Sequence, residues 1–258
     1  MKDANKSAIR GRIIERLALW ASIPLFLMAW QAASMSGYVN ELLFPPPTSV
    51  AVALWHELID GTLLLDLSVS VMRVVVGFAS GAAAGIVVGL LTGRYAIVSN
   101  LLTPIFQLLR PIPPIAFVPI VILWFGLSEW GKWFLVFWGV FFTVWVATHL
   151  GVQRADPALI RAARSLGTPD RLLIRDVILP SALPTIFVGL RTAVSISFYT
   201  LVAAELAGAF AGLAYRIDLA HQNMQTGQML GSLMVLGAVS ATADRGFAIL
   251  SRRLVWWA

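Results

Sequence analysis

The stretch His149–Arg191, HLGVQRADPALIRAARSLGTPDRLLIRDVILPSALPTIFVGLR, decides how the rest of the chain is read. It is a charged island with helical spacing set between two long apolar runs, and it is too long and too periodic for a slack loop. Asp156-Pro157 reads as an N-cap followed by proline at the first helical position. Leu159, Ala162, Ala163 and Leu166 then share one expected face, and Gly167 ends the helix. Thr168-Pro169-Asp170 opens a second helix, with Leu172, Leu173, Val177 and Leu179 expected inward and Arg171, Arg175 and Asp176 toward water. Pro180 and Pro184 are expected to close the segment, because proline supplies no backbone donor and clashes with the preceding turn.

Two alanines in a row before a glycine turn let another backbone come close, which suits docking into a groove on a second protein. An amphipathic loop lying in solvent between two membrane spans gives the same pattern. Outward from the island the chain is apolar: hydrophobic residues make up 59% and charged residues 12%, with a mean hydropathy of +0.81. A soluble core of 258 residues could not be covered by so little polar surface, so the fold class expected is an all-α polytopic membrane protein. The net charge of +6 is dispersed at the ends of apolar runs rather than gathered into a patch, which argues against nucleic acid. No cysteine is present, so disulfides and thiolate chemistry are excluded.

Six spans account for the apolar runs, approximately 17–35, 70–92, 97–127, 133–150, 183–206 and 225–247. Residues 1–16 form a basic segment ahead of a retained first span, 17–254 a transmembrane domain with its loop at 151–182, and 255–258 a short tail. Of 19 lysines and arginines, 14 fall in segments that this path places on one side, which the positive-inside rule makes cytoplasmic, with both termini there. The first external loop carries Glu41, Glu57, Asp60 and Asp66 and a Pro45-Pro46-Pro47 start to a short helix reaching Ile59. In the second span Gly77, Gly81, Gly85, Gly89 and Gly93 recur every four residues, a groove that serves either tight packing or a sliding surface. The third span holds Pro104, Pro111, Pro113, Pro114 and Pro119 around Arg110 and must be kinked or broken, beside protein or a wet path. Gly126–Lys132, GLSEWGK, fits the start of a phosphate-binding loop, but Trp133 stands where Ser or Thr should follow and no strand precedes it, so it reads as a turn between spans.

The spacing Arg161-Ala162-Ala163, three residues, Gly167, nine residues, Val177, one residue, Leu179-Pro180 resembles the EAA loop of ATP-binding-cassette (ABC) importer permeases. Arg110-Pro111-Ile112-Pro113-Pro114, Trp124-Phe125-Gly126, Gly189-Leu190-Arg191 and Ala204-Glu205 resemble the nitrate/sulfonate/taurine branch of that family, and the likeness runs over most of residues 17–254. It implies a type I importer fold in a bacterial inner membrane, with a coupling helix seated on a cytosolic ABC ATPase dimer. The contact residues so implied are Arg161, Ala162, Ala163, Leu166, Gly167, Leu179 and Pro180. It further implies a second permease copy, forming a homodimer within membrane lipid, and a periplasmic or lipid-anchored binding protein that delivers substrate to the loops after spans one, three and five. ATP and Mg would belong to the partner ATPase, and no cofactor to this chain. Two positions depart from the family. Arg161 stands where Glu is usual, which removes or rearranges a carboxylate contact there. Thr143 follows Phe141-Phe142 where the family has proline, which puts a kink in doubt.

Charges inside spans mark candidate paths, since one at mid-bilayer costs about 2.5 to 3.5 kcal/mol on insertion scales. Arg110 and Arg191 carry forks suited to sulfonate, nitrate, carboxylate or phosphate oxygens, or else bind freed carbonyls, pair with Glu205 or snorkel. Glu205 reads as a gate residue or as a helix end at the headgroups. His56, His149 and His221 lack metal-ligand spacing, and no nucleophile triad or carboxylate pair is evident, so an enzyme is not expected. A sulfonate or taurine is the substrate favoured by the resemblance of the strings at 160–163 and 201–206, with nitrate, bicarbonate or another small organic solute as alternatives. An ATP-independent secondary transporter is the more distant reading, and it would need coupling carboxylates inside spans.

Overall fold

The four-residue glycine repeat organises the packing. In the computed structural model, which describes residues 21–256, the repeat lies on α3 (Thr62–Arg94) and faces α6 (Glu129–Gln153). There Val136, Val140, Val144, Thr148 and Val152 recur at the same interval. A β-carbon placed on any of the five glycines would lie 2.5–3.0 Å from the β-carbon of its opposite number. Two rows of i, i+4 positions therefore interlock, small against β-branched, at a separation that a side chain on α3 would forbid. Of the two readings of the repeat, this contact is the tight-packing one.

A neighbouring row of α6 packs on α9 (Leu179–Leu206) by the same device in mixed directions. Gly139 of α6 meets Ile196 and Thr200, Gly151 meets Ala182 and Thr185, and Gly189 of α9 meets Ala147. Flanked by both helices, α6 is the most enclosed of the long apolar helices, with 61% of its most apolar window buried. Its ring-bearing face receives α4 (Ala96–Leu109), where Phe106 sits edge-on to Phe141, Phe142 and Trp145 with centroids 5.0–5.9 Å apart. Such edge-to-face pairs each add about 0.5–1.5 kcal/mol beyond area burial.

Two compact units are described. The smaller holds the described part of residues 1–63 with 217–232. It contains α1 (Ala21–Met35), α2 (Pro47–Ile59) and the start of α11 (Thr226–Leu254), where Gly231 packs on Leu54 and Thr226 Oγ1 donates to the Leu42 carbonyl at 2.6 Å. The larger unit holds residues 64–216 with the described part of 233–258 and carries α3 from residue 64, α4 to α9 and the start of α10 (Leu213–Gln222). Among the described residues four helices are long and apolar enough to cross a membrane, and a bent pair makes a fifth. The first expected span, 17–35, is described only from residue 21, so its beginning and the basic segment 1–16 lie outside the described residues. The third expected span is broken as anticipated: α4 and the segment from Pro114 through α5 (Val118–Phe125) meet at 87°. The fourth begins earlier than its apolar run, because Glu129 to Lys132 already belong to α6. That helix continues without interruption through Thr143, so no kink replaces the missing proline.

In the island, α7 (Pro157–Ser165) is capped as expected by Asp156, which accepts from the Ala158 amide at 2.8 Å. Gly167 turns at φ +73°, in the left-handed region that favours glycine. The expected inward face is corrected by one position. Ile160 and Ala163 pack against Val152, Leu173, Ile178, Ala182 and Ile186, while Leu159 and Leu166 are exposed, as is Leu172. Leu166 lies past the last helical turn, at the C-cap, so it does not share the face of Ile160 and Ala163. The expected stop at Pro180 and Pro184 is also corrected. After α8 (Asp170–Leu173) a π turn, Ile174–Ile178, leads directly into α9, where Pro180 occupies the first turn and Pro184 lies inside. A first-turn proline needs no donor, and the π turn shifts the carbonyl partners just upstream of it.

Replacing Gly89 by Ala, whose new methyl group would fall on Thr148, is expected to destabilise the protein by roughly 1–3 kcal/mol through overpacking. The same change at Gly237, which has open space around it, should leave thermal unfolding in detergent unchanged.

Candidate translocation cavity and buried charge cluster

Proline spacing creates the first candidate site. Arg110 follows the last turn of α4, and Pro111, Pro113 and Pro114 supply no amide hydrogens, so the helix cannot continue through them. The break borders a cavity of about 660 Å³ whose other walls are α6 and α9. Trp138, Phe142, Val146 and Val188 make much of the lining apolar, while Thr143, Thr185, Thr192 and Tyr199 add hydroxyls. Thr143 Oγ1 donates to the Gly139 carbonyl and Thr192 Oγ1 to that of Val188, each at 3.0 Å, so these hydroxyls are held against their own helices. Arg110 is the one lining residue with a formal charge. Among the described residues its guanidinium has no hydrogen-bond or ion-pair partner. A cation with unused donors beside an apolar cavity attracts a small anion and can meet it with a two-pronged fork.

The two other candidate path residues are placed elsewhere. Arg191 forms a bidentate pair with Asp244, Nε to Oδ1 at 3.0 Å and Nη2 to Oδ2 at 2.9 Å, which ties α9 to α11 and takes the guanidinium away from the cavity lining. Glu205 is only 1% exposed and sits in a buried charge cluster at the opposite end of α9 from the island. Its Oε1 accepts from Ser70 Oγ at 2.6 Å and from Arg73 Nη1 at 2.9 Å, and its Oε2 accepts from the Ala214 amide at 2.8 Å. Arg73 also donates to Glu129 through Nε and Nη2, both at 2.7 Å, and to the Ala211 carbonyl at 2.6 Å. Lys132 joins through Glu129 Oε1 at 3.2 Å and donates to the Leu127 carbonyl at 2.8 Å.

The cluster also solves a helix-end problem. The first amides of α10 have no partners within the helix. Instead Gly212 donates to Asp66 Oδ1, Leu213 to Ser70 Oγ and Ala214 to Glu205 Oε2, each at 2.8 Å. A side chain at position 212 would collide with the Glu205 carboxylate. Asp66, Ser70 and Arg73 are spaced i, i+4, i+7 on α3 and run on into the glycine row at Gly77. One stripe of that helix is thus charged at its start and bare along the rest. Sequence reading weighed Glu205 but passed over Arg73, Ser70, Glu129 and Asp244. The signal available was that continuation of the glycine stripe upstream to Arg73, Ser70 and Asp66.

At the island end, Arg161 and Ala162 are exposed, Ala163 is half-buried, Leu166 is 86% exposed beside Gly167, and Leu179 and Pro180 are half-buried at the start of α9. The seven positions implied by the family resemblance therefore run from the exposed side of α7, through the glycine turn, to the root of a cavity-lining helix. Asp170 on this loop is held by Arg94 at the end of α3, Nη2 to Oδ1 at 2.8 Å.

A family model described as binding-protein-dependent transport system inner membrane component matches residues 81–255. The chain is 34% identical to the putative aliphatic sulfonates transport permease protein SsuC of Bacillus subtilis (strain 168), over 100% of this chain and 95% of that one. It is 32% identical to the taurine transport system permease protein TauC of Escherichia coli (strain K12), over 92% of this chain and 88% of that one. Among solved structures, an amino acid ABC transporter with histidines shares the fold with a TM-score of 0.58 at 16% identity, covering 80% of this chain and 98% of that one.

Glu205→Ala removes at once one acceptor of a buried guanidinium and one of a helix N-terminus, and is expected to lower stability by about 3–5 kcal/mol. Arg191→Met, which breaks a half-exposed pair, should change little. Melting curves of the two variants in the same detergent test the contrast.

Proposed function

The chain belongs to the family of binding-protein-dependent transport system inner membrane components, and from that premise we propose that it moves a small anion, a sulfonate such as taurine first, across the inner membrane with ATP hydrolysed on a separate subunit. It is an ABC transporter permease and a multi-pass membrane protein of type I fold. The observation that carries the proposal is Arg110, a guanidinium without a partner among the described residues on the wall of a largely apolar cavity of about 660 Å³.

In the proposed cycle a binding protein delivers the anion to the end of the bundle that holds the Arg73–Glu205 cluster, and the island lies in the cytoplasm with both termini. The anion meets Arg110 once water has been cleared from the apolar walls, where a charge-assisted fork gains most. A second copy of the chain completes the path, as in a homodimer. The ATPase dimer, with its ATP and Mg, seats on α7. Closure of that dimer draws the α7 helices together and shifts α9, which carries Thr185, Thr192 and Tyr199. Arg191 and Glu205 are assigned to the frame rather than the path, because each spends its charge on a bonded partner. Substrate choice among sulfonate, nitrate, bicarbonate and other small solutes is read from which of them the partnering binding protein retains.

In proteoliposomes holding the assembled transporter, Arg110→Ala is expected to keep basal ATP hydrolysis and to lose anion uptake. Unchanged uptake removes Arg110 from the path. Gly167→Pro, which breaks the turn after α7, should abolish co-purification of the ATPase. Uptake by this chain alone in liposomes would overturn the ATP-driven reading in favour of a secondary transporter.

A further inference from the structure

Carboxylates and guanidiniums on the island are unequally engaged. Its three aspartates are all in use: Asp156 caps α7, Asp170 holds Arg94, and Asp176 lies 3.8 Å from Arg175. Arg154, Arg161, Arg164 and Arg171 are exposed, and among the described residues none has a hydrogen-bond or ion-pair partner for its side chain.

The face of α7 on which two of them lie is defined by what the helix buries. With Ile160 and Ala163 against the bundle, the opposite side presents Arg161 among Ala158, Ala162 and Ser165, and Arg164 lies at its edge. A helix that lies on lipid turns large apolar residues outward over such a face. Here the outward face has short side chains and one long cation at its centre, with the exposed Leu159 only at its margin, a shape that another protein surface can approach closely and that exposes the guanidinium to a facing carboxylate.

We propose that the surface receiving α7 is acidic, and that the ATPase subunit of this transporter presents carboxylates to Arg161 and Arg164. This rests on the reading of α7 as the docking helix and adds the sign of the contact. Opposite charge at a rim speeds encounter, fixes the register of the helix in its cleft and excludes ATPases whose cleft is basic. Arg154 and Arg171, at either side of the helix, widen the same positive field.

The test uses the permease in nanodiscs of neutral phosphatidylcholine, titrated with the ATPase subunit of the same transporter at low and at high salt. Wild-type affinity is expected to fall as salt rises. The double variant R161E/R164E is expected to bind roughly tenfold more weakly at low salt, or worse, with most of the salt dependence gone. A reversal of carboxylate to arginine on the ATPase, at the residue that cross-links to position 161, should restore binding to the variant alone. Both substituted side chains are exposed, so an unaltered melting curve certifies the fold. If the wild type binds and the double variant matches it at every salt concentration, the acidic surface is overturned while docking stands. If the wild type itself does not bind, the docking reading fails and this inference with it. If the variant differs only in discs containing phosphatidylglycerol, the arginines serve anionic headgroups and the proposal is overturned.

Discussion

The structure depends on how close α3 comes to α6. Five glycines against four valines and a threonine permit a backbone approach that no other residue on α3 would allow. In a bilayer, where apolar contact with lipid competes with apolar contact with protein, such closeness supplies dispersion contacts that lipid tails cannot match. Because α6 is gripped by both α3 and α9, it is the fixed member of the larger unit. The broken helix pair, the cavity and the island loop are all arranged around it.

Fixing α6 also makes the buried charges tolerable. A guanidinium and a carboxylate taken out of water, with a second carboxylate half-exposed beside them, are costly unless the buried donors and acceptors are met. Arg73 meets that condition because Glu129 stands on the first turn of α6, Glu205 on the last turn of α9, and Ala211 on the connection that follows. Glu205 has a second task, as one of three acceptors for the free amides at the start of α10. The cluster therefore works as a knot between three helices and a turn. By contrast Arg110, directly ahead of the prolines that end its helix, has no hydrogen-bond or ion-pair partner among the described residues and borders the cavity. Two arginines of one membrane domain are thus treated in opposite ways.

How much could be read from the residues alone followed the range of the interaction. The cap at Asp156, the turn at Gly167, the break at Pro111 to Pro114 and the close approach along Gly77 to Gly93 are local or periodic, and each was legible. The inward face of α7 was not, because Leu159 and Ile160 are adjacent and equally apolar, and only the surface offered by Leu173, Ile178 and Ile186 decides between them. Nor was the partner of Arg191, which lies 53 positions later at Asp244, or that of Glu205, which lies 132 positions earlier at Arg73. Pro180 and Pro184 misled for a different reason. Proline reads as a stop when the register is regular, and the π turn at Ile174–Ile178 makes the register irregular just ahead of them.

That π turn has a mechanical meaning. It joins α8 to α9 without a gap, so Asp170–Leu206 forms a single helical shaft of 37 residues, with the island loop at its foot and the cavity wall along its length. Thr192 stands some 33 Å up the shaft from Asp170 at 1.5 Å per residue. Over that length a tilt of a few degrees at the foot corresponds to a displacement of ångströms at the cavity wall.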